Sequence, residues 1–377
     1  MPVRHAHSVP TITRKANELL LVGVPGPELD AATVERLRRL QPGGFILFGR
    51  NIVSAAQLRR LTDALRQLST TEPIITIDQE GGRVSRLRLI GHEPPNAQQL
   101  RQCGDPSLIA EHGRLTGRLL RLFGFNLDLC PVLDISYDDE ADNSLRGRCY
   151  GSSVEETLTN AEVFRAAMAA EGILSCGKHF PGYTYAGLDP HHELPCIKRS
   201  RAELEACELA VFRYFSNKVD SMMIGHAHYP CFEPDAAVPA SLSAAVIRNC
   251  LIDELGFRGL VMTDDLDMGA ILNTFDWHDT IRRAVHAGNH LIMICHRLEA
   301  AEDALRVLEA MPADDLAPAH AALSAFKQRL APPAEFSEVA HRLLDEQVWH
   351  LRTATLGEEL ARTRSEEDGK RSPVEIY

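Results

Sequence analysis

Two patterns in the chain and one absence predict an α/β fold, a single-domain (β/α)8 barrel of TIM type with extra C-terminal helices. Apolar strand-like runs alternate with amphipathic helical runs eight times. The strand-like runs are short and continuously apolar, as strands buried on both faces are. The absence is of a glycine-rich phosphate turn after the first strand, which an open doubly wound sheet normally carries; Gly23-Val24-Pro25-Gly26-Pro27 is a poor match to one. Eight β/α units in 377 residues fit the closed barrel better than the open sheet.

After a polar lead to about Thr13, the predicted strands are Leu19 to Val24, Gly44 to Phe48, Pro73 to Asp78, Leu127 to Asp134, Ile173 to His179, Val219 to His226, Gly259 to Asp264 and His290 to Cys295. A candidate helix follows each, most clearly at Ala55 to Leu68, Ser107 to Phe123, Val154 to Glu171, Arg201 to Phe215 and Ala244 to Glu254, with a further one near Asp276 to His286. Beyond Met311 the pattern is helical only, at about Ala319 to Leu330 and Phe336 to His350. Residues 1–350 therefore read as one barrel domain with C-terminal helices, and 351–377 as a charged, flexible tail.

Composition narrows the partners. The 40 Lys and Arg stand against 52 Asp and Glu, a formal charge of −12, and no basic stripe with interleaved aromatics is present, so no nucleic-acid partner is expected. The nine cysteines are scattered, odd in number and never spaced as C-x-x-C, which favours a reducing compartment. No apolar run approaches the roughly 18 residues of a membrane span, and Met1 to Lys15 has no apolar signal-like core. A cytoplasmic protein with no membrane partner and no cofactor is the expectation, and the sequence assigns no oligomeric state.

In such a barrel, functional groups sit at the C-terminal ends of the strands. Six consecutive predicted strands end in ionisable residues: Asp78-Gln79-Glu80, Asp134, Lys178-His179, His226-Ala227-His228, Asp264-Asp265 and Cys295-His296. Asp264, at strand phase, is expected to point into the barrel mouth, while Asp265 suits an N-cap for the segment that follows. Asp78 to Arg86 couples a strand-end carboxylate to a glycine pair and two arginines, which suits a small polyhydroxylated ligand, and Arg148 in the loop after strand four is placed to reach the same ligand. The loop Gly177 to Pro195, GKHFPGYTYAGLDPHHELP, puts Asp189 two residues from His191. In an extended segment such residues share a side, so a carboxylate there holds the imidazole in one tautomer.

These motifs together resemble family 3 of the glycoside hydrolases, in its β-N-acetylglucosaminidase branch acting on cell-wall muropeptides. The resemblance runs from about Gly43 to Ala270. It rests on GGFILFGRN at 43–51, IDQEGGRVSR at 77–86, LDLCPVLDI at 127–135, GKHFPG at 177–182, LDPHHELP at 188–195 and ELGFRGLVMTDDL at 254–266. It implies Asp264 as nucleophile, His191 as acid/base and Asp189 as its orienting partner. It also implies sugar-binding roles for Asp78, Arg86, Arg148, Lys178 and His179, a place near the pocket for His226, and a GlcNAc-containing muropeptide or chitooligosaccharide as substrate. Where the family continues the loop as P-G-H-G-D-T, this chain has Pro181-Gly182-Tyr183-Thr184-Tyr185-Ala186.

A retaining glycosidase needs a carboxylate to attack the anomeric carbon and a proton donor for the leaving oxygen; Asp264 and His191 fill those roles. Three other readings use the same residues. A metal-dependent amidohydrolase barrel also combines H-x-H, Lys and Asp, but there the H-x-H pair ends the first strand and precedes the lysine, whereas His226 and His228 end the sixth and follow Lys178. No metal requirement is therefore expected. Resolution of the glycosyl-enzyme by phosphate and a non-catalytic sugar-binding barrel are the other two. Gly182 and Gly187 bracket Tyr183 to Ala186 and offer two hinge points. That predicts a lid that carries His191 away from Asp264 until ligand binds.

Overall fold

The computed structural model describes residues 16–141, 143–184 and 194–365. Its eight barrel strands are β1 (Leu20–Gly23), β2 (Gly44–Leu47), β3 (Ile74–Ile77), β4 (Leu127–Asp128), β5 (Leu174–Phe180), β6 (Ser221–Ile224), β7 (Leu260–Thr263) and β8 (Ile292–Ile294). All neighbours run parallel, in the order β8-β1-β2-β3-β4-β5-β6-β7. A parallel bridge from Met262 to Leu291 brings β7 beside β8 and closes the ring. The apolar runs are short because each strand is buried on both sides: Leu20, Leu21, Val22, Ile75, Leu127, Met222, Val261 and Ile292 are all fully buried.

β4 is shorter than its apolar run predicts. Pro131 has no N–H to give the ladder, so regular pairing stops early. The chain nevertheless stays alongside β5, with Cys176 N–H donating to Cys130 O and Leu133 N–H to Lys178 O, and Asp134 still arrives at the barrel mouth.

The surrounding helices begin where their caps direct. Asp30 caps α1 (Ala31–Leu40), Ser54 and Gln57 form a capping box on α2 (Ala55–Leu68), Asp105 caps α3 (Pro106–Leu122) and Ser153 caps α4 (Val154–Ala170). The helix predicted from Arg201 to Phe215 is broken at Cys207, which leaves helical angles, so α5 spans Glu208–Phe215 after a short turn of helix at Arg201–Ala206. Ala245–Glu254 is a π-helix, followed in the chain by α6 (Trp277–Ala287) and α7 (Leu298–Glu309). Among the described residues no helix is long and apolar enough to cross a membrane.

The C-terminal region departs from expectation at two points. α8 (Ala313–Lys327) starts six residues before the predicted Ala319 and carries Pro318 inside it. α9 (Glu338–Leu356) runs past the expected boundary at 350, and Arg352 is buried, donating to Glu93 O, Glu93 Oε1 and Ala361 O. A tail beginning at 351 is thus corrected as far as residue 365: the buried ion pair to Glu93 holds that stretch against the barrel. Residues 366–377 lie outside the described residues.

Candidate active site

The site begins with a turn that only glycine can make. β3 leads into Asp78 and then a small hairpin, Gln79–Gly81 with Val84–Ser85. Gly81 has φ +106° and Gly82 φ +54°, and a Cβ on Gly81 would stand 2.4 Å from Pro95 O. This reversal sets Asp78 and Glu80 against Lys178 on β5 and Arg148 from the long loop after β4. Lys178 Nζ lies 2.7 Å from Asp78 Oδ1 and 2.6 Å from Glu80 Oε1. Arg148 takes Glu80 in a bidentate grip, Nε to Oε2 at 2.7 Å and Nη2 to Oε1 at 2.8 Å.

Charge decides the protonation states here. Burial pushes the Glu80 carboxyl up, but Arg148 and Lys178 outweigh it and hold Glu80 far below the usual carboxylate range. Burial likewise pulls Lys178 down, and Asp78 and Glu80 more than reverse it, leaving the ammonium raised above its ordinary value. Lys178 is therefore a charged donor and not a neutral base. Arg86 is buried beside this group, with Nη2 3.9 Å from Asp78 Oδ2.

Next to Lys178, His179 Nδ1 lies 2.7 Å from Asp134 Oδ2, and the same carboxylate accepts the His179 and Tyr183 main-chain N–H groups. Asp134 has no exposed surface, so it serves as an internal clamp that orients the imidazole and fixes the first residue of the altered loop. Thr184, the second altered residue, donates through Oγ1 to Ile135 O.

Across the mouth, Asp264 follows β7 and its Oδ1 accepts the Asp265 N–H at 2.8 Å. Asp265 does not cap a helix, and that expectation is corrected: the short helix Gly269–Leu272 has Met268 as its N-cap. Asp265 Oδ1 instead accepts from Cys295 N and Asp267 N, tying the end of β7 to the end of β8. His226 is buried, with Nδ1 2.8 Å from Ser241 Oγ and Nε2 2.9 Å from Asp265 O. The carbonyl requires a donor, so Nε2 carries the proton. His228 turns its Nδ1 to Val238 O, so the H-x-H pair is engaged in internal hydrogen bonds.

These groups enclose a cavity of about 100 Å³ lined by Asp78, Arg148, Lys178, His179, His226 and Asp264, with Phe48, Tyr183, Asp265 and His296 among the remaining walls. Six of the sequence-predicted site residues thus meet in one space. Arg86 is not among the residues that line it, and its Nη2 stands 3.9 Å from Asp78 Oδ2. Asp189 and His191, with the hinge expected around Gly187, lie outside the described residues. Sequence reasoning gave no role to Glu80, Asp134 or His296. Their position at strand ends was the available signal, whereas Phe48 and Tyr183 read only as a strand end and as part of the altered loop, with no sign that they wall the cavity.

Residues 11–322 match the N-terminal domain of glycosyl hydrolase family 3. A beta-hexosaminidase of Vibrio cholerae serotype O1 is 35% identical over 307 residues, 81% of this chain and 89% of the relative. Among solved structures, a family 3 beta-N-acetylglucosaminidase from Paenibacillus superposes with a TM-score of 0.84 at 31% identity, covering 92% of this chain and 69% of that one. NagZ of Neisseria gonorrhoeae, solved with N-trifluoroacetyl-D-glucosamine, does so with a TM-score of 0.75 at 27% identity, covering 89% and 95%. The barrel, the polar strand ends gathered in one cavity and these likenesses agree, and the chain belongs to the family 3 glycosyl hydrolases.

Proposed function

We propose that the protein is a retaining β-N-acetylhexosaminidase that releases terminal N-acetylglucosamine, with peptidoglycan-derived muropeptides as the substrate class. The observation that supports this reading is the placement of Asp264 in the same cavity as Asp78, Arg148, Lys178 and His179. Relatives named beta-hexosaminidase, at 31–35% identity, support a hexosamine as the sugar released.

In the proposed reaction the Asp264 carboxylate attacks the anomeric carbon as the glycosidic C–O bond breaks, and His191 gives its proton to the departing oxygen. The α-linked ester on Asp264 is then opened by water, whose proton returns to His191. Asp189 orients His191 and favours its protonated form. Lys178 and Arg148, both held as cations, and the Asp78 carboxylate bind sugar hydroxyls, while the clamp from Asp134 fixes the face that His179 offers.

Turnover of an aryl N-acetyl-β-glucosaminide, with product configuration followed by NMR, tests the activity and its stereochemistry. A slow fluorosugar substrate should leave its label on Asp264. Label on another residue, or an inverted product, would overturn the assignment.

A further inference from the structure

We infer that His296 is a positioning residue for the Asp264 carboxylate, acting through Asp265 as a neutral imidazole whose tautomer Arg50 fixes. This rests on the reading of Asp264 as nucleophile and extends it to the strand-eight side of the mouth.

Arg50 comes from the turn after β2 and crosses the end of β1 to reach β8. Glycine at position 23 makes room: a Cβ there would stand 1.7 Å from Cys295 O and 2.9 Å from Arg50 Nη2. Arg50 Nε donates to Val24 O and Nη2 to Cys295 O, which leaves Nη1 3.0 Å from His296 Nδ1. A guanidinium has donors only, so Nδ1 must accept and carries no proton while this contact holds. The ring proton is then on Nε2, which lies 3.3 Å from Asp265 Oδ2. Phe48 packs beside the imidazole, with ring centroids 5.2 Å apart, and Arg50 lies over Phe48 as well.

Asp265 passes this order to its neighbour. One carboxylate oxygen takes the Cys295 and Asp267 N–H groups, the other faces His296, and its carbonyl takes His226 Nε2. What these bonds immobilise is the residue whose N–H holds Asp264 Oδ1. Arg50, His296, Asp265 and Asp264 therefore form one line across the mouth from the end of β2 to the end of β7. Removing the imidazole takes a donor from a mostly buried carboxylate and loosens the N–H on which the attacking carboxylate rests. A misplacement of about 1 Å at a reacting group costs on the order of 10²-fold in rate.

The test compares wild type, His296→Ala and His296→Gln with an aryl N-acetyl-β-glucosaminide, measuring kcat, KM, the inhibition constant of N-acetylglucosamine and a thermal melt. His296→Ala should lower kcat by ~10- to 100-fold, with KM and the inhibition constant within about twofold. His296→Gln, whose amide N–H extends to where Nε2 stands, should recover most of that loss. An alanine variant as fast as wild type, a weakened affinity with unchanged kcat, or a glutamine variant no better than alanine overturns the inference. Nitrogen-15 NMR of the histidine-labelled wild type gives an arm that needs no variant to fold: an unprotonated Nδ1 at His296 is expected, and a protonated Nδ1 overturns it. A wild type without turnover would instead overturn the glycosidase reading itself, and the unmutated protein alone reveals that.

Discussion

On the β3–β5 side of the barrel mouth, Asp78, Glu80, Arg148 and Lys178 hold one another through full charges within 2.8 Å, whereas on the β7–β8 side Asp264 rests on a main-chain N–H and Asp265 on two more. The first arrangement fixes protonation states. A carboxylate gripped by a guanidinium and an ammonium stays ionised, and its lone pairs are already committed. The second fixes direction, because a peptide N–H is set by the backbone around it. A ligand grip tolerates the first kind of support, while a group that must form a bond needs the second.

The largest break in this comparison is Asp264→Ala. On the proposed mechanism it should lower turnover on the order of 10⁴-fold, about 5 kcal/mol of transition-state stabilisation. The melting temperature should stay close to wild type, since Asp264 is partly exposed and its removal uncovers no apolar surface. Activity within about tenfold of wild type would remove Asp264 from the reaction.

Glu80→Gln attacks the charged side and should do the reverse. It leaves Lys178 and Arg148 buried without their shared anion, a change worth roughly 4 kcal/mol of folding stability. Urea denaturation measures it, and a loss below about 1 kcal/mol would show that Asp78 alone compensates both cations.

The smallest effect separates the charge network from the packing beneath it. Burial lowers the pKa of His112, packed against Phe164 under the Gly81 turn, to about 4, and that of His290 likewise to about 4. A histidine whose folded pKa lies below its unfolded value binds fewer protons folded than unfolded between the two. Stability is therefore lost as pH falls from about 6.5 towards about 4, by roughly 3 kcal/mol at most for His112. Glu80 has a depressed folded pKa, so its contribution persists above the unfolded value of about 4.3 and is lost only below it. His112→Phe should flatten the loss between pH 6.5 and 4 in thermal melts. An unchanged slope would move the acid sensitivity elsewhere.

Much of this was legible in the sequence, because the features concerned depend on local pattern. Eight apolar runs, each short enough for a buried parallel strand, gave the barrel and its order. Strand phase placed Asp78, Lys178 and Asp264 at one end, where closing the ring brings them together whatever the connecting loops do. Periodicity placed the helix Ala55 to Leu68 where the structure has it. The tertiary structure alone decided who pairs with whom. Glu80 reads as one more strand-end acid until Arg148, 68 residues away, and Lys178 close on it. Asp265 reads as a cap until the Cys295 N–H at the end of β8 donates to it. His296 gains a defined tautomer from Arg50, 246 residues earlier in the chain. A side chain's period along its own strand is written in neighbouring residues, whereas its charge state and its partner are set by groups that only the closed barrel brings within hydrogen-bonding distance.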